Sequence, residues 1–316
     1  LAELDVATSE NSIQESIAQI YIQILYAAES VRVNENTLQV SIAQRDRGQE
    51  LLNAGSIAKS DFAQLEAQVS TDRYQLVTAQ ATLQDYKLQL KQLLELDGEN
   101  EMNIYLPALS DENVLSPLPA KRDVYVSALA LRPEIEASKL NVNASELGID
   151  IAKSGYLPTV SLSAGIGTNH TSGSDFTFGE QVKNGWNNSI GLSVSVPIFN
   201  NRQTKSAVQK AKLQYETSML SLLDEQKALY KTIEGLWLDA NSAQQRYAAA
   251  NEKLKSTQIS YNLISEQFNL GMKNTVELLT EKNNLLQAQQ EQLQAKYMAI
   301  LNTQLLKFYQ GDKLAL

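Results

Sequence analysis

Two stretches of this chain alternate strictly between apolar and polar residues, separated by a polar loop. From Thr159 to Thr168, Val160, Leu162, Ala164 and Ile166 fall on one side, with Thr159, Ser161, Ser163, Gly165 and Gly167 on the other. From Asn188 to Val196 the pattern returns, with Ile190, Leu192, Val194 and Val196 set against Ser189, Gly191, Ser193 and Ser195. A period of two with one wholly apolar face predicts a pair of β-strands. Each run is about ten residues, the length a tilted strand needs to cross bilayer hydrocarbon. Tyr156 and Phe199 mark one end, and Phe176, Phe178 and Trp186 the other, as in the aromatic girdles of membrane barrels. Val160, Leu162, Ile166, Ile190, Leu192 and Val194 are therefore the candidate lipid-facing surface. A soluble hairpin with one buried face fits the alternation equally well, so the flanking sequence has to decide.

The flanks follow a helical period instead. Ile13, Ile17, Ile20, Ile24, Ala27 and Val31 recur in steps of four and three, a heptad seam. It continues through Leu38 to Leu52 and stops at Asn53-Ala54-Gly55, where glycine suits the left-handed close of a helix. A second helix starts at Ser60, with Asp61 in its first turn, where the helix dipole favours a negative charge. Its seam runs Phe62, Leu65, Val69, Asp72, Leu76, Ala79, Leu83, Tyr86, Leu90 and Leu93. Asp72 is its only polar member and reads as a tunnel- or solvent-facing break. The short connection makes these two rods antiparallel.

This gives a helical hairpin over 1–96 and an irregular linker over 97–132. A second unit over 133–311 follows, with a tail at 312–316. The second unit divides into a helix at 133–154, a β-hairpin at 157–198 and another helical hairpin at 201–311. Proline at 133 suits a first helical turn. Gly271 interrupts the long helical pattern as Gly55 does the first.

The two flanks match each other. At an offset of 216 residues, Ile13 meets Leu229, Ile17 meets Ile233, Tyr21 meets Trp237, Glu50 meets Glu266 and Asn53 meets Asn269. Gly55 then meets Gly271, Asp61 meets Glu277 and Phe62 meets Leu278. An ungapped match ending on the same helix–turn–helix indicates an internal duplication. It predicts two hairpin tips lying side by side. The counterpart of the β-hairpin would fall before Leu1, so the chain reads as N-terminally truncated, lacking the first helix and first strand hairpin.

Composition narrows the function. All six prolines lie between Pro107 and Pro197, leaving both flanks free for long helices. A net charge of −9 without a basic cluster argues against nucleic acid. With no cysteine there is neither a disulfide nor a thiolate metal site, and no cofactor is implied. No catalytic constellation is visible. The single His170 sits in a polar loop, and Gly165, Gly167 and Gly191 are not followed by a helix that would cradle phosphate. The chain reads as a non-enzyme.

Arg132-Pro133-Glu134, Gly155-Tyr156-Leu157-Pro158 before the first strand, and Val196-Pro197-Ile198-Phe199 after the second resemble the TolC family of outer-membrane efflux proteins. The two glycine turns, each with an acid six residues on, match as well. The resemblance covers essentially the whole chain. It implies a mainly α fold, with long antiparallel helical hairpins forming a periplasmic tunnel. To this is added a two-stranded membrane β-hairpin contributing to a trimeric barrel. It further implies a passive exit duct for small molecules or proteins in the outer membrane and periplasm of a Gram-negative bacterium. The implied partners are two more copies, outer-membrane lipid, a periplasmic adaptor (membrane fusion) protein and an inner-membrane pump. By this resemblance Asp61, Phe268, Lys273 and Glu277 line the periplasmic gate, and the turns Gly55, Ser56, Gly271 and Met272 dock the adaptor. The alternative is a periplasmic coiled-coil adaptor or interaction protein with no channel of its own. Such a protein has no need of two bilayer-length strands.

Overall fold

The structure is a computed structural model, and it describes residues 1–96, 104–105 and 114–314. In order, these form α1 (Ala2–Asn53), α2 (Lys59–Leu93), α3 (Lys121–Leu131), α4 (Pro133–Ser154), β1 (Thr159–Gly167), α5 (Phe178–Asn184), β2 (Asn187–Ser195), α6 (Gln203–Asn269) and α7 (Thr275–Gln310). The fold is thus mainly α, with long antiparallel helical hairpins and one two-stranded antiparallel sheet. No described helix is long and apolar enough to cross a membrane.

The chain divides into two units, Leu1–Glu136 with Gln226–Leu316, and Ala137–Glu225. In the first, α1 pairs with α2 and α6 with α7. Ser41 of α1 meets Asp72 of α2, and Lys253 and Ser260 of α6 meet Glu291 and Glu281 of α7, an antiparallel register in each case. The core combines Ile, Leu and Tyr side chains with alanines that let helices approach closely. Ala18, Ile22 and Leu25 of α1 pack with Ala243 and Tyr247 of α6 and with Ala299, Ile300 and Leu301 of α7. The seam on α1 is buried along most of its length: Ile24 and Ala27 are enclosed, Ile17, Ile20 and Val31 are half-buried, and Ile13 is exposed. Ala18, Ile22 and Leu25, beside that seam, are enclosed as well, because α1 packs against α6 and α7 in addition to α2.

The linker expected to be irregular over 97–132 holds the 11-residue helix α3. Its Val124 and Ala128 are fully enclosed against Ile135 of α4, Leu229, Ile233 and Ala240 of α6, and Leu306 of α7. Residues 97–103 and 106–113 of that linker lie outside the described residues. Arg132 explains the break that follows. Preceding Pro133, it is forced out of the helical region to φ −74°, ψ 124°, so α3 ends and α4 begins at the proline.

In the second unit, Ser145 of α4 and Ser218 of α6 share a hydrogen bond at 2.8 Å. Thr204 at the start of α6 donates to the carbonyl of Gly155 at the foot of the sheet at 3.3 Å. The polar loop between the strands is itself organised around α5. Thr177 N–H donates to Glu180 at 2.9 Å to cap that helix, and Gln181 Oε1 accepts from Thr171 N–H at 2.8 Å. These two bonds hold the loop that the sequence left unassigned.

Candidate functional site: two matched turns and an apolar strand face

The turns between α1 and α2 and between α6 and α7 are the same structure twice. In the first, Gly55 N–H donates to Leu52 O at 3.0 Å and Ser56 N–H to Leu51 O at 2.8 Å. In the second, Gly271 N–H donates to Phe268 O at 2.9 Å and Met272 N–H to Gln267 O at 2.9 Å. Both glycines are left-handed, which closes a helix by this six-to-one pattern without a Cβ penalty. Beyond each turn an acid caps the next helix. Asp61 accepts from Ala58 N–H at 3.3 Å, and Glu277 from Asn274 N–H at 3.2 Å. Only the second turn has the reciprocal bond, Glu277 N–H to Asn274 Oδ1 at 2.9 Å, since Ala58 has no side-chain acceptor.

The four gate candidates therefore occupy unlike places. Lys273 Nζ lies 2.6 Å from Glu277 Oε1, one turn along the same segment. That ammonium, with the Asn274 N–H, holds the Glu277 carboxyl below the usual carboxylate range. Among the described contacts, Lys273 bonds Glu277 rather than Asp61, which is occupied with its own cap. Phe268 requires a correction. Expected to line an entrance, it is 2% exposed and packs with Leu51, Leu65 and Leu278 in one cluster. Its ring is apolar and lies where the two hairpins meet, so burial is its favourable state. That cluster sets the two tips beside each other, and Arg47 reinforces it by donating to the Asn269 carbonyl at 3.3 Å. Gly55, Ser56, Gly271 and Met272 are on the surface, with the Met272 side chain projecting outward.

Asp72 is a second correction. Read as a tunnel- or solvent-facing break, it is 1% exposed and forms an ion pair with Lys282 of α7. Burial lowers the Lys282 pKa, an effect that the bond to Asp72 opposes. Another group that the sequence reading left without a role is Arg132. Its guanidinium lies over the Tyr309 ring at 3.7 Å and the Phe308 ring at 5.1 Å, and reaches Glu15 at 2.6 Å. It ties the α3–α4 junction to the end of α7 and to α1. His170 plays a local part, with Nδ1 at 3.0 Å from Gln181 Oε1 and its ring edge-on to Phe178.

The sheet has an unusual surface. Its register pairs Val160 with Val194, Leu162 with Leu192 and Ala164 with Ile190, so like lies opposite like across one face. Thr159 opposes Ser195, Ser161 opposes Ser193 and Ser163 opposes Gly191 on the other face. Among the described residues nothing covers the apolar side: Leu162 is 75% exposed and Ile190 84%. An isolated two-stranded hairpin is marginal in water, and an uncovered apolar face this long marks an interface.

The family model described as "Outer membrane efflux protein" matches residues 124–311. Among curated proteins, the chain is 24% identical to outer membrane efflux protein BepC of Brucella suis, covering 92% of this chain and 61% of that protein. It is also 24% identical to outer membrane protein TolC of Escherichia coli, covering 96% of this chain and 62% of that protein. The chain thus spans about three fifths of the length of these relatives. Among solved structures, outer membrane protein VceC from Vibrio cholerae superposes with a TM-score of 0.78 at 18% identity, covering 99% of this chain and 73% of that one. The likeness to VceC establishes the fold.

Proposed function

This chain belongs to the outer membrane efflux protein family, and from that premise we propose that it forms part of a homotrimeric exit duct. The duct stands in the outer membrane and periplasm of a Gram-negative bacterium and carries small molecules or proteins out passively. The observation that carries this reading is the strand pair, with one uncovered apolar face and one face of Ser, Thr and Gly. In lipid an open sheet edge is not tolerated, so the hairpin requires strands from elsewhere to close a barrel. Closure would turn Val160, Leu162, Ile166, Ile190, Leu192 and Val194 to lipid and the hydroxyl face to a wet lumen. A coiled-coil adaptor has no use for that surface.

The helical hairpins then form the periplasmic part, with their paired tips at its entrance. Ser56 and Met272, carried outward by the glycine turns, are suited to docking a periplasmic adaptor that couples the duct to an inner-membrane pump. In a three-fold assembly Asp61, Lys273 and Glu277 each recur three times around the axis. We assign Glu277 to a cation-attracting ring, partly neutralised by Lys273, and a closing contact to Asp61 and Lys273 of adjacent hairpins. Single-channel conductance of full-length trimers tests this assignment. Glu277→Ala should weaken cation selectivity, and Asp61→Ala and Lys273→Ala should each raise open conductance. Wild-type currents in all three would leave these groups only their helix-capping role. A full-length protein that forms no pore in lipid would sink the duct itself.

A further inference from the structure

Helices α1, α2 and α7 meet at a buried ion pair in a seam that is otherwise uncharged. Lys282 Nζ and Ser41 Oγ both donate to Asp72 Oδ2, and Gln68 Nε2 donates to the other carboxylate oxygen at 2.9 Å. The side chains of Lys282 and Asp72 are 3% and 1% exposed. Taking two charges out of water is costly, and well-packed apolar residues in their place are often as stable or more so. The duplication shows that the repeat itself does not require the pair. At the 216-residue offset, Asp72 corresponds to the fully enclosed Ala288, and Lys282 corresponds to Glu66 on an exposed face. One copy of the repeat uses a methyl group where the other carries a carboxylate.

The apolar part of the seam, by contrast, is poor at defining register. Both α2 and α7 start from a hairpin tip, run in the same direction, and present residues at heptad spacing. Enclosed on α7 are Thr275, Leu278, Lys282 and Leu285, and on α2 Leu65, Val69 and Asp72. A slip of one heptad, about 10 Å, still lays apolar residues against apolar residues. It would, however, set Lys282 against Leu65 or Ala79, and Asp72 against Thr275 or Gln289. Either arrangement leaves two buried charges unpaired, which is strongly unfavourable.

We propose that the Asp72–Lys282 pair is the register key between the first helical hairpin and α7. It fixes their axial alignment so that the turns at Gly55 and Gly271 finish level. Asp72 and Lys282 are positioning residues for the surface that the two turns form. This inference goes beyond the duct reading and does not depend on it.

Cross-linking within the full-length protein tests it, with any cysteine outside this cysteine-free stretch replaced by serine. Gln68 and Asn283 touch at 3.4 Å, one turn from the pair, so cysteines at 68 and 283 report the native register. Cysteines at 68 and 276, or at 68 and 290, report a slip of one heptad either way. In the parent only the 68–283 disulfide should form. In the apolar double variant Asp72→Leu/Lys282→Leu, the melting temperature should hold while the 68–283 yield drops and a slipped disulfide appears. In the exchanged variant Asp72→Lys/Lys282→Asp, the native disulfide should return. An apolar variant that forms only the 68–283 bond overturns the proposal. So does one that no longer folds, since the pair would then be a stability element. An exchanged variant that slips as much as the apolar one also overturns it.

Discussion

Gly55 and Gly271, 216 residues apart in sequence, hold the same backbone state, with φ +74° and +72°. Each closes a helix through the same pair of hydrogen bonds, and a Cβ added at either would meet nothing within 4 Å. Steric room is therefore not what glycine supplies; the backbone conformation is.

Gly55→Ala and Gly271→Ala should each destabilise the protein by about 1–2 kcal/mol, the cost of a left-handed non-glycine residue. Gly235 lies within α6 with nothing near its would-be Cβ. Gly235→Ala should therefore be neutral or stabilising, by up to about 1 kcal/mol. Chemical denaturation of the three variants checks this, and a loss at Gly235 matching that at the turns would sink the conformational explanation.

The two turns differ in one atom's worth of chemistry. Asn274 accepts the Glu277 N–H, while Ala58, at the same place and in the same extended conformation, accepts nothing. Asn274→Ala should cost about 1 kcal/mol, and Ala58→Asn should gain a similar amount. Glu277 adds a pH dependence. Its carboxyl is held low in the folded state, chiefly by Lys273, so its contribution is present above the ordinary carboxylate pKa and is lost as pH falls through the folded value. Lys273→Ala should move that acid limb to higher pH in unfolding titrations.

These turns were legible in the sequence because their signals are local: a glycine, a polar stop and an acid at fixed spacing. The strands were legible for the same reason, since alternation needs no knowledge of a partner. What sequence reading missed is held by distant partners. Asp72 read as a solvent-facing flaw because Lys282, which pairs with it, lies 210 residues on and looks like any surface lysine. Phe268 was assigned to an entrance by resemblance, but the cluster with Leu51, Leu65 and Leu278 draws on both repeats. Helix α3 was hidden by the prolines around it, because 11 residues are too few to establish a period against such neighbours.

Two tyrosines of α7 set an alkaline limit. Burial, with Glu29 near one and Glu15 near the other, pushes Tyr297 and Tyr309 up to about 12. An unfolded tyrosine ionises near pH 10. Between these values the unfolded chain releases protons that the folded one retains, so the stability contribution is whole below about pH 10 and is lost as pH rises toward 12. Tyr297→Phe and Tyr309→Phe should each flatten the fall in stability over that window. Tyrosinate difference absorbance on the folded protein should show late ionisation at both positions. An unchanged alkaline slope in the double variant would assign the effect to other groups.

Across the sheet, Leu162 stands opposite Leu192 and Ser161 opposite Ser193, adjacent pairs on opposite faces. All four are exposed in the chain by itself, so the chain alone gives no reason for the two positions to respond differently to charge. A bilayer does. If the apolar face meets lipid, Leu192→Arg should destabilise the membrane-inserted protein by about 2–4 kcal/mol at the midplane. Ser193→Arg, one residue along and facing the lumen, should leave stability nearly unchanged and lower cation conductance, since it adds positive charge to the path. Replacing Leu162 should reproduce the Leu192 result, and replacing Ser161 the Ser193 result, because each shares a face with its partner. Unfolding in lipid vesicles gives the stabilities, and planar-bilayer recording gives the currents. Equal loss of stability at Leu192 and Ser193 would mean that both faces are dry, and the hairpin would then belong to a soluble sheet packed on both sides.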